Sequence, residues 1–317
     1  MLTSSTAALA LGALCCAALT WVQEPAPSAP STVVATKSSA PLRVLIVDGR
    51  NNHAWRATTP VLRAILERAG CAVEVATLRE GDEALATFRP EFSKHQVVLS
   101  NYNGPTWSAD TRRDLESFVG GGGGLVVVHA ADNAFPEWKE WNEMIGVGGW
   151  GNRDEKSGPY LRLREGRWIA DPTPGSGGSH GAQHEFVLTH HAVEHPILRG
   201  LPKRWKHTQD ELYDRLRGPA QNVTVLASAF APKELGGSGE EEPLLFALTW
   251  KKGRVFHSAL GHSVISMQCA GFQETLVRGV EWAATGAVRE RATPEDFPSA
   301  EKSSARELEP AKGEVKK

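Results

Sequence analysis

The feature that most constrains the fold is a series of short, continuous apolar runs separated by segments of helix length. These runs are Leu42–Asp48 (LRVLIVD), Ala72–Thr77, Gln96–Ser100 and Leu125–Val128. Continuous apolar runs of this length are typical of strands that are covered on both faces. One intervening segment predicts a helix that begins at Thr59-Pro60, and another predicts a helix capped by Ser108. The alternation predicts an α/β domain with a mostly parallel sheet and helices on both faces.

The second half of the chain is less regular. Residues 150–210 are rich in glycine, histidine and proline, which predicts a long, loop-dominated insertion. Strands are predicted again at Val223–Ala227, Leu244–Trp250 and Arg254–Leu260, the last two joined by a tight hairpin at Lys251-Lys252-Gly253. A final helix is predicted from about Phe272 to Thr285.

Both ends of the chain differ in composition from the part between them. Residues 2–22 are apolar and rich in alanine and leucine, and a tract of proline, serine and alanine follows to about Pro41. We interpret residues 1–41 as an export signal and spacer, although no positive charge precedes the apolar run. The alternatives are a single membrane anchor or a lipid attached at Cys16. Residues 288–317 are charged and predict a solvated, disordered tail, which leaves 42–287 as the folded domain.

Composition and charge exclude some partners. The formal net charge is −2, and no arginine-rich stripe appears, so we predict no nucleic-acid partner. Membrane contact is expected only through the N-terminal anchor or lipid, and the predicted localisation is periplasmic, membrane-anchored or extracellular. The 10 tryptophans suit core packing and also stacking on sugar faces. The sequence does not indicate an oligomeric state.

Three of the predicted strands are followed by loops that combine hydrogen-bonding side chains with an aromatic ring. In an open parallel sheet, ligands bind beyond the carboxyl ends of the strands. Polyols need this mixture, because they present hydroxyl edges and apolar CH faces. The candidate substrate-binding residues are His53, Trp55, Asn101, Trp107, Asn133 and Trp138. The alternative for any one loop is ordinary turn chemistry, in which asparagine is common.

His129 is the strongest catalytic candidate. It follows the strand Leu125–Val128 directly, which places an imidazole at a strand-to-helix turn, where hydrolases of this architecture hold their nucleophile. An imidazole titrates near neutral pH and serves as a general acid or base, or as a metal ligand. The alternative is a histidine that hydrogen-bonds loop backbone. His262 repeats the situation at the end of another predicted strand, after Gly261.

Asp210 and Glu211 are adjacent carboxylates close to Tyr213. Paired carboxylates can divide acid and base roles when their environments separate their pKa values. Neighbouring residues of an extended segment point to opposite faces, so only one of the two can face the site. The alternative is a solvated acidic turn.

The insertion contains further histidines that qualify as substrate-binding residues or metal ligands. His180 and His184 are the first two, and His190, His191 and His195 follow them. A zinc site formed by His129 with two of these imidazoles is an alternative. Their spacing matches no specific metal motif, so no cofactor is assigned.

Several of these segments, in this order, resemble the ThuA-like (trehalose-utilisation) family over residues 42–287. The segments are Leu42–Asp48 with His53, Gly121–Ala131, Trp138–Gly149, His195–Ile197 with Gly200–Pro202, Asp210–Tyr213, and Gly253–Phe256 through His262. The resemblance implies a flavodoxin-like sheet related to class I glutamine amidotransferases. It also implies an association with sugars, including keto-sugars, and a site that uses His129, Asp210, Glu211, Tyr213 and His262.

In the amidotransferases a cysteine nucleophile occupies the strand-to-helix turn, where this chain has His129. Cys71 and Cys269 lie elsewhere in the pattern, so thiolate chemistry is not expected. The leading hypothesis is an exported enzyme that acts on a carbohydrate or keto-sugar by histidine and carboxylate acid–base chemistry. The alternatives are a non-catalytic carbohydrate-binding module and a metal-dependent hydrolase.

Overall fold

The computed structural model describes Met1 and residues 40–308. The strands of this part are β1 (Arg43–Asp48), β2 (Ala72–Thr77), β3 (Val97–Ser100), β4 (Gly124–Val128), β5 (Tyr160–Arg164), β6 (Arg167–Asp171), β7 (Ser179–His180), β8 (His184–His190), β9 (Arg204–Asp210), β10 (Tyr213–Asp214), β11 (Val223–Phe230), β12 (Glu241–Trp250) and β13 (Gly253–Ser258). The helices are α1 (Trp55–Arg68), α2 (Asp82–Thr87), α3 (Ala109–Gly120), α4 (Lys139–Ile145), α5 (Val264–Gln268) and α6 (Ala270–Thr285).

Nine strands form one central sheet in the order β2-β1-β3-β4-β13-β12-β11-β8-β9. The pairings from β2 to β13 are parallel, and those from β13 to β9 are antiparallel. In β1, β3 and β4, nearly every residue is buried because helices cover both faces. The predicted α/β architecture with a mostly parallel, flavodoxin-like sheet is confirmed.

This topology brings several strand ends to one edge. The carboxyl ends of β1, β3, β4 and β13 share it because these strands are parallel. The next four pairings are all antiparallel, so β9 again runs in the direction of β13. The carboxyl end of β9 therefore reaches the same edge and carries Asp210 and Glu211 to it.

The region 150–210, which the sequence predicts as a loop-dominated insertion, contains more regular structure than expected. The strands β5 to β9 lie in this region, and β8 and β9 extend the central sheet. Both follow a two-residue alternation, with Phe186, Leu188 and His190 buried on β8 and Trp205 and His207 buried on β9. The buried histidines hid the alternation, because histidine does not count as apolar in a pattern of hydrophobic residues.

The prediction of a solvated tail from residue 288 is wrong as far as residue 308. The guanidinium of Arg291 pairs with the carboxylates of Glu274 and Glu281 on α6, both of which are buried. The ring of Phe297 contacts Trp205 with 5.7 Å between centroids. The basic residues of this segment therefore neutralise buried carboxylates of the domain. Residues 309–317 lie outside the described part.

Smaller differences concern the helices. The first helix begins at Trp55 rather than at Thr59-Pro60, because the amides of Ala57 and Thr58 already bond the Ala54 carbonyl in a turn before the proline. The hairpin at Lys251-Lys252 and the Ser108 cap are confirmed.

The predicted export signal falls on residues outside the described part. Within 40–308, no helix is long and apolar enough to cross a membrane.

Candidate functional site

His129 begins the turn that follows β4. Its φ of 45° lies in the left-handed region, which residues with a side chain seldom adopt, so the surrounding structure must hold this backbone in place. The side chain is buried, and its Nδ1 lies 2.8 Å from the carbonyl oxygen of Ala259. A carbonyl can only accept, so Nδ1 carries the proton that forms this bond. The opposite nitrogen, Nε2, points toward Glu211.

Three imidazoles surround one carboxylate at this edge of the sheet. The Oε2 atom of Glu211 lies 3.0 Å from His262 Nδ1, 3.4 Å from His129 Nε2 and 3.7 Å from His53 Nε2. The ligand-type atoms of these four residues all lie within 4.8 Å of one another. We call His53, His129, Glu211 and His262 the histidine–glutamate cluster. Its members follow β1, β4, β9 and β13, so four strand ends build it.

The cluster keeps Glu211 ionised. Burial raises the pKa of this carboxyl, but the adjacent imidazoles of His129, His262 and His53 outweigh burial and hold the pKa well below its ordinary value. Glu211 in turn raises the pKa of His262, whereas burial lowers the pKa of His53. The cluster therefore presents a fixed negative charge among imidazoles in unlike environments.

Asp210 has a different position from the one that the sequence suggests. Its fully buried carboxylate accepts four hydrogen bonds, from the backbone amides of Glu211, Gly261 and His262 and from His207 Nε2, at 2.8–3.0 Å. It therefore orients the two backbone segments that carry Glu211 and His262 and points away from the cavity. The prediction that only one of the adjacent carboxylates faces the site is met by Glu211.

A cavity of about 500 Å³ opens beside the cluster. It is lined by Arg50, Asn52, His53, Asn103, Asn133, Trp150, Gly151, His180, Glu211 and Tyr213. The ring of Tyr213 contacts that of His129 with 4.0 Å between centroids, and burial raises the pKa of its phenol well above the ordinary value. The phenol is therefore a neutral hydrogen-bond donor. Asn133 Oδ1 is buried and, within residues 40–308, forms no hydrogen bond of acceptable geometry.

The structure brings several of the predicted residues to this site. His53, Asn133, His180, Glu211 and Tyr213 line the cavity. His129 and His262 complete the cluster beside it. The Nε2 atom of His180 lies 3.7 Å from Glu211 Oε1, on the side away from the cluster.

Other candidates lie elsewhere. Trp107 and Trp138 are buried in an aromatic group of the core, and the indole of Trp138 donates to Glu116. Asn101 is buried and donates to the hydroxyls of two threonines of α1. Trp55 starts α1 with the Arg56 guanidinium over its ring, and His184 bonds the Ala182 carbonyl. These side chains serve the fold and are not part of the cavity wall.

The zinc site proposed for the insertion histidines does not form. Within the described residues, His190 accepts from the Trp205 indole, His191 pairs with the Ser228 hydroxyl, and His195 packs on Trp282. Each of these three histidines therefore has its own partner in the antiparallel half of the molecule, away from His129. His129 is instead joined by His53 and His262, which come from other strand ends.

Sequence reasoning missed some wall residues. Arg50 and Trp150 have positive φ angles of 48° and 52°. This conformation is usual for glycine and asparagine, so the sequence gives no sign that these two residues adopt it. Asn52 and Asn103 belong to loops that the sequence does predict at this edge, and their side chains bond each other across it. Their position in the loops that follow β1 and β3 is the signal that selects them.

Comparisons with known proteins agree with this architecture. The ThuA family model, described as trehalose utilisation, matches residues 43–283. A ThuA-like protein from Parabacteroides merdae is 44% identical, with a TM-score of 0.81, over 84% of this chain and 98% of that one. A ThuA-like protein from Bacteroides uniformis is 17% identical, with a TM-score of 0.54, over 80% and 98% of the two chains.

A cytoplasmic protein from Salmonella typhimurium shares the fold at 11% identity and a TM-score of 0.50, over 76% of this chain and 99% of that one. No match was found among curated proteins. The family match spans the central sheet and all four members of the histidine–glutamate cluster. The chain belongs to the ThuA family.

Proposed function

We propose that the protein is an enzyme that acts on a carbohydrate or keto-sugar bound in the cavity, with the histidine–glutamate cluster as its reacting centre. The observation that carries this proposal is the ionised Glu211 carboxylate, held among three imidazoles at the wall of a cavity of about 500 Å³. Volumes of about 300–1,000 Å³ are usual for small-molecule sites.

The cavity wall supports a polyhydroxylated substrate. Asn52, Asn103 and Asn133 offer amide groups that both donate and accept, as sugar hydroxyls do. Trp150 and Tyr213 add aromatic surface for the CH face of a sugar ring, with 4.7 Å between their centroids. The sequence predicts this mixture of amides and aromatic rings for this edge, although the three tryptophans that it assigned there lie outside the cavity wall.

The chemistry follows from the charges. A neutral imidazole of the cluster can accept a proton from a substrate carbon next to a carbonyl, or from a water molecule, and the ionised Glu211 carboxylate stabilises the imidazolium that forms. The neutral Tyr213 phenol can donate a hydrogen bond to the oxygen on which negative charge then develops. Proton abstraction leads to isomerisation or elimination, and activation of water leads to hydrolysis.

A panel of sugars and their keto derivatives tests the proposal, with NMR detection of products in deuterated water and in ¹⁸O-labelled water. Deuterium at a substrate carbon identifies proton abstraction, and ¹⁸O in the product identifies hydrolysis. We expect turnover by the wild type, loss of turnover with retained binding in Glu211→Gln, and wild-type behaviour in His184→Ala. Binding without turnover by the wild type across the panel would instead establish a carbohydrate-binding module.

A further inference from the structure

We propose that His53, His129, Glu211 and His262 together bind one divalent transition-metal ion of the zinc type. The ligand atoms are Nε2 of His53 and His129, Nδ1 of His262 and Oε2 of Glu211. Binding of the ion stands on this geometry alone, and only its part in a reaction rests on the function proposed above.

The spacing of the four atoms fits a single ion. All of them lie within 4.8 Å of one another, and three lie 3.0–3.7 Å from Glu211 Oε2. Ligands about 2.1 Å from one metal ion are at most about 4.2 Å apart, and about 3.4 Å apart in a tetrahedral shell. Small side-chain rotations are therefore enough to close the shell.

Hydrogen bonds to the outer nitrogens of His129 and His53 direct the lone pairs of their Nε2 atoms toward the centre of the cluster. Nδ1 of His129 donates to the Ala259 carbonyl, so the Nε2 of the neutral ring is an acceptor. Nδ1 of His53 lies 2.9 Å from Asn52 Oδ1, which the Asn103 amide also contacts. Backbone carbonyls and side-chain oxygens that hold the second nitrogen are the usual outer shell of a histidine that binds metal.

Two nitrogens of the cluster are buried without a partner. Within residues 40–308, His129 Nε2 and His262 Nδ1 form no hydrogen bond of acceptable geometry, although both face the Glu211 carboxylate. A lone pair that faces a carboxylate oxygen at 3.4 Å is unfavourable unless a proton or a metal ion lies between the two atoms, and a single proton can serve only one of the two nitrogens. A metal ion satisfies both nitrogens and the carboxylate together.

The ligand set selects the class of metal. Three imidazoles and one carboxylate suit zinc and its neighbours in the first transition series, whereas calcium and magnesium prefer oxygen ligands. Glu211 lines the cavity and His180 lies 3.7 Å from its second oxygen. An ion in the cluster would therefore meet a substrate oxygen or a water molecule at the cavity wall, with His180 outside the ligand set to move a proton.

The test uses tag-free, full-length protein that has been treated with a chelator and dialysed. Titration calorimetry and elemental analysis measure binding of Zn²⁺, and the visible spectrum of bound Co²⁺ reports the coordination. We expect one equivalent of Zn²⁺ per chain, an affinity at least 100-fold lower in Glu211→Gln and in His129→Ala, and unchanged affinity in the matched control His184→Ala. Zn²⁺ should also raise the melting temperature of the wild type but not of the two cluster variants.

Less than a tenth of an equivalent of Zn²⁺ and of Co²⁺ in the wild type, or equal affinity in His53→Ala/His262→Ala, would overturn the metal site. Circular dichroism of each variant separates lost binding from lost folding, and the melting shift of the single variant Glu211→Gln remains decisive if the double variant unfolds. Stoichiometric zinc without turnover would reject the proposed function and retain the metal site. Turnover by metal-free protein would retain the proposed function and exclude a part for the ion in the reaction, while the binding titration alone decides the metal site.

Discussion

The histidines of this protein fall into two groups that differ in how their nitrogens are satisfied. In the antiparallel half of the sheet, His190 accepts from Trp205 at 2.8 Å, and His191 pairs with Ser228 at 2.7 Å. In the histidine–glutamate cluster, three imidazoles face a single carboxylate instead. Each ring of the first group has a side-chain partner of its own, although within residues 40–308 His190 Nδ1 is buried without one, whereas the three rings of the cluster share one carboxylate.

The difference separates stabilising histidines from functional ones. A ring with its own partner lowers the free energy of the fold, because a buried polar atom is paired. In the cluster, His129 Nε2 and His262 Nδ1 have no hydrogen-bond partner within residues 40–308. His129 also has an unfavourable backbone conformation. Such sites cost stability and persist where function needs them. Substitutions in the two groups should therefore change different measurements.

Glu211→Gln should have the largest effect. The amide keeps the shape of the side chain but removes the charge that all three imidazoles face, so we expect turnover to fall by about 10³-fold, or about 4 kcal/mol. The free energy of unfolding should fall by about 1–2 kcal/mol, since the fold also loses the interactions that keep the pKa of Glu211 low, but by less than the loss in turnover. Rate assays and urea denaturation measure the two quantities. Equal losses of activity and of stability would remove the distinction between the groups.

Asp210→Asn should act on stability instead. Its carboxylate accepts from three backbone amides and from His207, and an asparagine would place an NH₂ group against donors. We expect a loss of about 3 kcal/mol in the free energy of unfolding, as for other broken buried pairs. Urea denaturation of this variant beside Glu211→Gln gives the comparison. A variant no less stable than Glu211→Gln would contradict the assignment of Asp210 as a positioning residue.

The sequence is sufficient for the parallel half of the fold and not for the antiparallel half. Leu42–Asp48 and Leu125–Val128 are continuously apolar because helices cover both of their faces, and that pattern is visible without a structure. On β8 and β9 the inward positions include His190 and His207, whose burial depends on partners from distant parts of the chain. A local pattern cannot show such partners.

The candidate site could likewise be predicted only in part from the sequence. The rule that ligands bind at the carboxyl ends of parallel strands finds His53, His129 and His262, because each lies in the segment that follows a strand. It does not show which side chains turn outward, so Trp107 and Trp138 were expected at the site and lie in the core. Glu211 joins the cluster only because four antiparallel pairings return β9 to this edge, a long-range property that the insertion concealed.

The pH dependence of stability should come from the histidines of the antiparallel half, and His190 is the clearest case. Burial lowers the pKa of His190 from 6.5 to about 4, and the nearby His191 and Arg278 contribute in the same direction. The neutral ring accepts from the Trp205 indole. Between these values the unfolded chain binds more protons, so this contribution is complete above pH 6.5 and is lost as the pH falls to about 4. The loss is about 3 kcal/mol at most. His190→Gln, whose amide oxygen can accept from Trp205, should flatten the acid limb of stability against pH, measured by urea denaturation. An unchanged acid limb would contradict this assignment.

The smallest effects should distinguish the two histidines of the insertion. His180 lines the cavity and lies 3.7 Å from Glu211, whereas His184 bonds the Ala182 carbonyl away from it. We expect His180→Ala to lower kcat/KM by about tenfold, the usual order for one lost contact at a site, and His184→Ala to change it by less than twofold. Both side chains are partly exposed, so neither variant should lose more than about 0.5 kcal/mol of stability. Equal kinetic effects would show that the reacting substrate extends beyond the cavity to His184, and the boundary between functional and structural histidines would then lie one strand further along the chain.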